Sequence, residues 1–195
     1  MSGNKSTWRL SHRLKNRFDA WARDRRGATA VEFALVATPF FFLLFGLFEV
    51  AIIFIMTTTL EHGINESSRA IRTGAFQSAQ LNQAAFRNAV CSELFDLLDC
   101  DTNLHIDVRT FGNFGGAMNN SPVDPATQTV NPGQFQFNPG GPNDIVVARV
   151  FYEWTLLSPV ISKPLANLSG NKRLLQASVA FRNEPFGGAG APGTP

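Results

Sequence analysis

The sequence is poor in the residues that do chemistry. It has two cysteines and three histidines in 195 residues, and His12, His62 and His105 stand far apart. No HExxH, GxSxG, Walker-type or CxxC pattern occurs. That excludes any legible nucleophile–base set, phosphate cradle or metal-ligand cluster. The glycines of 112–143 do not follow a strand and open a helix, as a phosphate loop requires. Asp99 and Asp101 beside Cys100 read as a solvated helix end rather than a cation site. The expectation is a protein that is not an enzyme, with no cofactor and no metal.

Positive charge is also sparse over most of the chain. Residues 1–27 hold eight Lys/Arg (Lys5, Arg9, Arg13, Lys15, Arg17, Arg23, Arg25 and Arg26) against Asp19 and Asp24. The remainder carries nine Lys/Arg against thirteen Asp/Glu. A basic leader followed by a mildly acidic chain gives a nucleic acid no basic patch on the folded part.

What is present is a long apolar run. Phe33 to Phe48 contains no charge, and after Glu49 the run resumes to Met56. As a helix this segment is ~36 Å long, enough to cross a ~30 Å hydrocarbon core with some tilt. The basic cluster before it favours a cytoplasmic N-terminus, which puts the C-terminal domain on the far side. A secretory signal peptide would have a shorter apolar region and a small-x-small cleavage site. Met56-Thr57-Thr58-Thr59 is a poor one. Pro39 inside the run predicts a kink.

Residues 8–22 can form a basic amphipathic helix with Leu10, Leu14, Phe18 and Trp21 on one stripe, or remain an unstructured charged tail. Beyond Met56, the spacing of Leu60, Ile64, Ser68 and Ile71 continues the first helix, and Gly74 is a suitable stop. A second helix is expected over about 76–97, with Phe86, Val90, Leu94 and Leu97 on one face. Three strands follow. Leu104–Val108 alternates apolar residues with His105 and Asp107, Ile145–Trp154 is apolar on both parities, and Leu175–Phe181 alternates again. A Gly/Asn/Pro-rich loop, 112–143, separates the first two, and Gln134–Phe137 inside it can add an edge strand. The tail 185–195 is expected to be disordered. The helix–helix–strand–strand–strand order gives an α+β class with a small antiparallel sheet.

Cys91 and Cys100 lie in the segment placed outside the cytoplasm, where an even count reads as one disulfide. On one continuous helix they would be ~13.5 Å apart, whereas a disulfide needs Cα atoms within ~7 Å. The bond therefore requires the second helix to end near Leu97 or Leu98 and the chain to fold back at Asp99-Cys100-Asp101.

Directly before the apolar run stands Arg25-Arg26-Gly27-Ala28-Thr29-Ala30-Val31-Glu32-Phe33. A carboxylate so near hydrocarbon needs a partner. Cleavage after Gly27 would make Ala28 the N-terminus, and its ammonium would face Glu32 one helical turn later. Such a Glu in the first turn would also suit the helix dipole. Glu49 is a second carboxylate within the span, with a contact to another subunit and snorkelling to the outer interface as open alternatives.

Gly27 followed by Glu32-Phe33 and a hydrophobic helix resembles the leader of type IV pilins and pseudopilins. More narrowly, residues 25–73 resemble the opening of TadE-like proteins of the tight-adherence (Flp pilus) system. Phe45-Gly46 with Glu49, and Ser68-Arg69-Ala70 at the end of the long helix, belong to that likeness. Arg182-Asn183-Glu184-Pro185 is similar to the family's ending. The resemblance implies a pilin-like domain on a single transmembrane helix in the bacterial inner membrane, with the domain in the periplasm. It implies cleavage at Gly27/Ala28 by a prepilin peptidase, and a minor pseudopilin's role among other Tad pilins and assembly proteins. Glu32, Phe33 and Glu49 are then the assembly residues. The organisation expected is a leader over 1–27, a TadE-like helix over 28–74, an extracytoplasmic domain over 75–184 and a tail. The alternative is an uncleaved, membrane-anchored periplasmic module that binds a partner through the 112–143 loop.

Overall fold

A computed structural model describes residues 27–94, 98–113, 121–158 and 162–187. The leader with its amphipathic stripe, Leu97 and most of the tail lie outside these residues. The chain divides into two compact units, 1–45 and 46–195, and helix α1 (Ala28–Arg72) contributes to both.

In the first unit the described residues are helical, and Pro39 lies inside the uninterrupted helix. Val31, Phe33, Leu35, Val36 and Phe40 to Leu43 are all exposed. An apolar helix surface left uncovered in this way fits a single-pass membrane anchor. The helix is long and apolar enough to cross a membrane, with 6 % of its most apolar window buried, which a core helix of a soluble domain would not show.

In the second unit α1 becomes amphipathic. Leu60, Gly63, Ile64, Ser67, Ser68 and Ile71 are buried, the three-four spacing of one helical face. Gly63 lets α3 (Gln83–Ser92) approach closely, since a Cβ there would stand 3.1 Å from Leu94 Cδ2 and 3.3 Å from the Val90 carbonyl. The helix stops at Gly74, whose φ of 79° is left-handed, with Thr73 and Gly74 donating back to Arg69 and Ile71. Only glycine takes that conformation without strain, and it is a common helix terminator.

The expected second helix is shorter and broken. A single turn, α2 (Ala75–Ser78), precedes α3. Gln80 adopts φ 51° between them, and the Asn82 side chain caps α3 by accepting from the Ala85 amide at 3.0 Å. Local capping therefore starts the helix later than its apolar periodicity indicated. It ends at Ser92, before the Leu97–Leu98 limit that the disulfide imposed. Cys91 and Cys100 are bonded, with Cα atoms 6.1 Å apart. Asp99 caps the single turn α4 (Cys100–Asn103) by accepting from the Asp101 amide, so this acidic pair is a helix end.

The sheet is β1 (Leu104–Phe111), β4 (Ile145–Thr155) and β5 (Lys172–Arg182), antiparallel in the order β1-β4-β5. β2 (Val123–Asp124) and β3 (Thr129–Val130) form a separate hairpin inside the 112–143 segment. One face of the sheet, with Leu104, Ile106, Val108, Val146, Ala148, Val150, Tyr152, Leu175 and Ala177, joins Leu60, Ile64, Ile71, Phe86, Val90 and Leu94 in one core. The result is an α+β fold with a small antiparallel sheet packed on helices.

The opposite face departs from the alternation rule. Asp107 is 1 % exposed, although it alternates with apolar residues as a solvent-facing residue should. The long loop covers it. Phe135 stacks on His105 and packs against Phe151, with centroids 5.2 and 5.6 Å apart. Phe137 forms a parallel bridge with Val108 and packs on Phe76 and Phe86 at the sheet edge. The Gln134–Phe137 stretch is thus an edge element reduced to one bridge. β4 is apolar on both parities because the loop buries its second face.

Candidate functional site

Three regions hold the residues singled out in the sequence. At the start of α1, Gly27 is exposed, and a Cβ built there meets nothing within 4 Å. The Gly27–Ala28 bond stands at the start of the described helix, both residues exposed, with Glu32 and Phe33 exposed one turn on. Glu32 is not in the first turn of the helix that begins at Ala28, which contains no acidic residue. The dipole argument therefore weakens, whereas the four-residue spacing from Ala28 stands.

The second region is Glu49. Its side chain is not left to lipid. Oε1 accepts the backbone N–H of Leu157 at 3.0 Å, and the residue is 4 % exposed. Leu157 follows β4, more than one hundred positions away, so no local pattern could identify it. The carboxylate is engaged within its own chain, which neither of the two sequence readings anticipated.

The third region joins the end of α1 to the end of β5. The Glu184 amide donates to the Arg72 carbonyl at 2.8 Å, and its carboxylate faces the Arg72 guanidinium at 3.7 Å. Asn183 is buried and donates from Nδ2 to the carbonyls of Pro139 and Gly141 at 3.0 and 2.9 Å. Phe186 lies over Gly74, leaving no room for a Cβ there. The Arg182–Pro185 string is therefore a clasp that fixes the helix end. An open cleft of about 130 Å³ lies beside it, lined by Asn65, Ser68, Arg69, Arg72, Val179, Ala180 and Phe181. Its arginines are already paired, Arg69 with Glu66 at 3.1 Å and Arg72 with Glu184, so the cleft offers an anion little.

Two polar clusters sit on the loop-covered face of the sheet. Asp107 accepts from Arg149 and Arg109 and from the Gln136 amide, and Arg109 also donates to the Gln134 carbonyl. This cluster ties the loop to the strands. Glu153 lies between Lys172 at 3.0 Å and His105 at 3.1 Å. Burial alone would raise its pKa, but the hydrogen bonds and charges of Lys172 and His105 outweigh it and hold the carboxyl below its ordinary value. Tyr152 is raised, chiefly by burial, with the nearby Asp99 charge adding to it. Among the described residues no three His, Cys, Asp or Glu side chains are grouped to hold a metal.

Residues 27–69 match a family model described as TadE-like protein. The segment begins at Gly27 and ends at Arg69, so it covers the helix and not the sheet. No curated protein and no solved structure matches the chain.

Proposed function

With the first helix matching the TadE-like family, we propose that this chain is a TadE-like minor pseudopilin of Tad (Flp) pilus assembly. It sits in the bacterial inner membrane with a cytoplasmic N-terminus and a periplasmic domain. A prepilin peptidase trims it after Gly27, and α1 then takes its place among other pilin helices. It acts as a structural component and not as a catalyst.

The observation that carries this reading is the exposed Gly27–Ala28 junction at the head of a 45-residue helix within the matched segment. Trimming there would remove a leader with eight basic and two acidic residues. It would also place a new ammonium one turn from Glu32, where a carboxylate next to hydrocarbon that has no ion pair among the described residues gains a partner. The tethering of Gln134–Asn138 onto the sheet favours this reading over a module that binds through the 112–143 loop, because part of that loop is committed to the fold.

The test is the intact mass of the protein from its native host. The expected product begins at Ala28, and Gly27→Leu is expected to leave the full-length chain, since a peptidase that requires a small residue cannot accept leucine. Equal full-length masses for wild type and variant, in a host with the peptidase, would establish the uncleaved anchor instead.

A further inference from the structure

The contact between Glu49 and Leu157 has a depth. The apolar run of α1 ends at Met56, and Glu49 lies seven residues earlier, ~10 Å further down the helix at 1.5 Å per residue. Above it one side of the helix packs on the domain core through the half-buried Ile53 and Met56, while the other side is uncovered, with Val50, Phe54 and Ile55 all exposed and Phe54 at 71 %. Thr57, Thr58 and Thr59 return their hydroxyls to the carbonyls of Ile53, Phe54 and Ile55 at 2.8, 2.9 and 3.0 Å. That triplet therefore presents no unsatisfied donor to a lipid. Leu157 meets α1 below this level, and its own side chain is 67 % exposed.

Two costs are reduced together at that point. A backbone N–H within the membrane must be satisfied inside the protein, and a carboxylate there must have a partner. The Leu157 amide and the Glu49 carboxylate supply each other's need. We propose that Leu157, two residues past the end of β4, is inserted into the outer leaflet of the bilayer, with its side chain among lipid acyl chains and Glu49 as the fixed acceptor. The occupant of this surface is phospholipid, because the exposed residues Val50, Phe54, Ile55 and Leu157 continue the apolar surface of the spanning helix without a break in polarity. The domain base is then a second membrane contact beside the helix. This rests on the anchoring part of the function proposed above and not on cleavage or pilus entry.

The test uses the full-length chain with its native disulfide, reconstituted at low density in phosphatidylethanolamine/phosphatidylglycerol vesicles. A spin label is placed at Leu157→Cys, Leu43→Cys or Ser178→Cys, and collision with oxygen is compared with collision with a water-soluble nickel chelate. The oxygen-to-nickel ratio at 157 is expected to be several-fold above that at 178 and close to that at 43. It should fall toward the value at 178 when Glu49→Ala is added, and persist with Glu49→Gln, whose amide oxygen still accepts. A label at 157 that reports water while the label at 43 reports lipid overturns the inference and leaves the anchor intact. Water at both positions overturns the anchor itself. A ratio unmoved by Glu49→Ala overturns the role given to Glu49.

Discussion

Asp107 on β1 and Arg149 on β4 stand opposite each other in the ladder, and two guanidinium nitrogens of Arg149 donate to Asp107 Oδ2 at 2.6 and 3.1 Å. The second carboxylate oxygen accepts Arg109 Nε at 2.8 Å and the Gln136 amide at 2.9 Å. One buried side chain thus holds two strands and the returning loop together. Asp107→Ala leaves a buried guanidinium without its partner, and a loss of about 3–5 kcal/mol is expected. Adding Arg149→Met should recover part of it, because the orphaned charge is gone. Chemical denaturation of the detergent-solubilised protein measures both, and an Asp107→Ala loss under about 1 kcal/mol would show the cluster to be dispensable.

Glu153 gives the fold an acid-side dependence whose sign follows from its lowered pKa. A carboxyl held below its unfolded value of 4.5 contributes stability that is complete above that value. The contribution is lost as pH falls from there through the folded value. Melting temperature measured across the acid range should fall less steeply in Glu153→Gln than in wild type. Parallel slopes would mean that Lys172 and His105 do not stabilise the charged form.

The disulfide joins residues nine positions apart, and the chain-entropy relation values such a small loop at ~2–3 kcal/mol. Replacing both Cys91 and Cys100 with alanine should lower stability by that order while leaving membrane insertion unchanged. Free-thiol labelling of the denatured, unreduced wild type should be negligible, and two labelled thiols per chain would contradict the bond.

Glu32 is exposed at the head of α1, so neither Glu32→Ala nor Glu32→Gln should disturb the domain. Removing the charge makes the span more apolar, and insertion should persist in both. If the chain is cleaved after Gly27 as proposed, pilus formation should be lost in both, because the ammonium of Ala28 loses its counter-charge. Membrane fractionation and a surface-adhesion assay read the two effects separately. Normal adhesion in both variants would reduce Glu32 to a boundary residue.

Several elements were legible in the sequence because their signals are local. The charge-free run specified a long apolar helix, and the spacing of Leu60, Ile64, Ser68 and Ile71 specified the buried face of the same helix. Alternation located β1 and β5, and an unbroken apolar run located β4, each to within a few residues of the observed ends. Cysteine spacing required the chain to turn back before Cys100, as it does. The second helix was misjudged at both ends because Asn82 capping and the early stop at Ser92 are local competitors of an apolar periodicity that continues through them.

Tertiary structure alone decided the partners of the buried charges. Asp107 sits in a strand pattern that assigns it to solvent, and it becomes buried because a distant loop lays Phe135 over that face, held at the sheet edge by the bridge of Phe137 to Val108. Glu49 reads as an intramembrane acid that either meets another subunit or snorkels to the outer interface, and its partner is a backbone amide 108 positions later in the same chain. A periodicity reports which face a residue occupies, but the cover over that face is built from residues remote in sequence. A backbone N–H also carries no side-chain signature by which a carboxylate's partner could be foreseen.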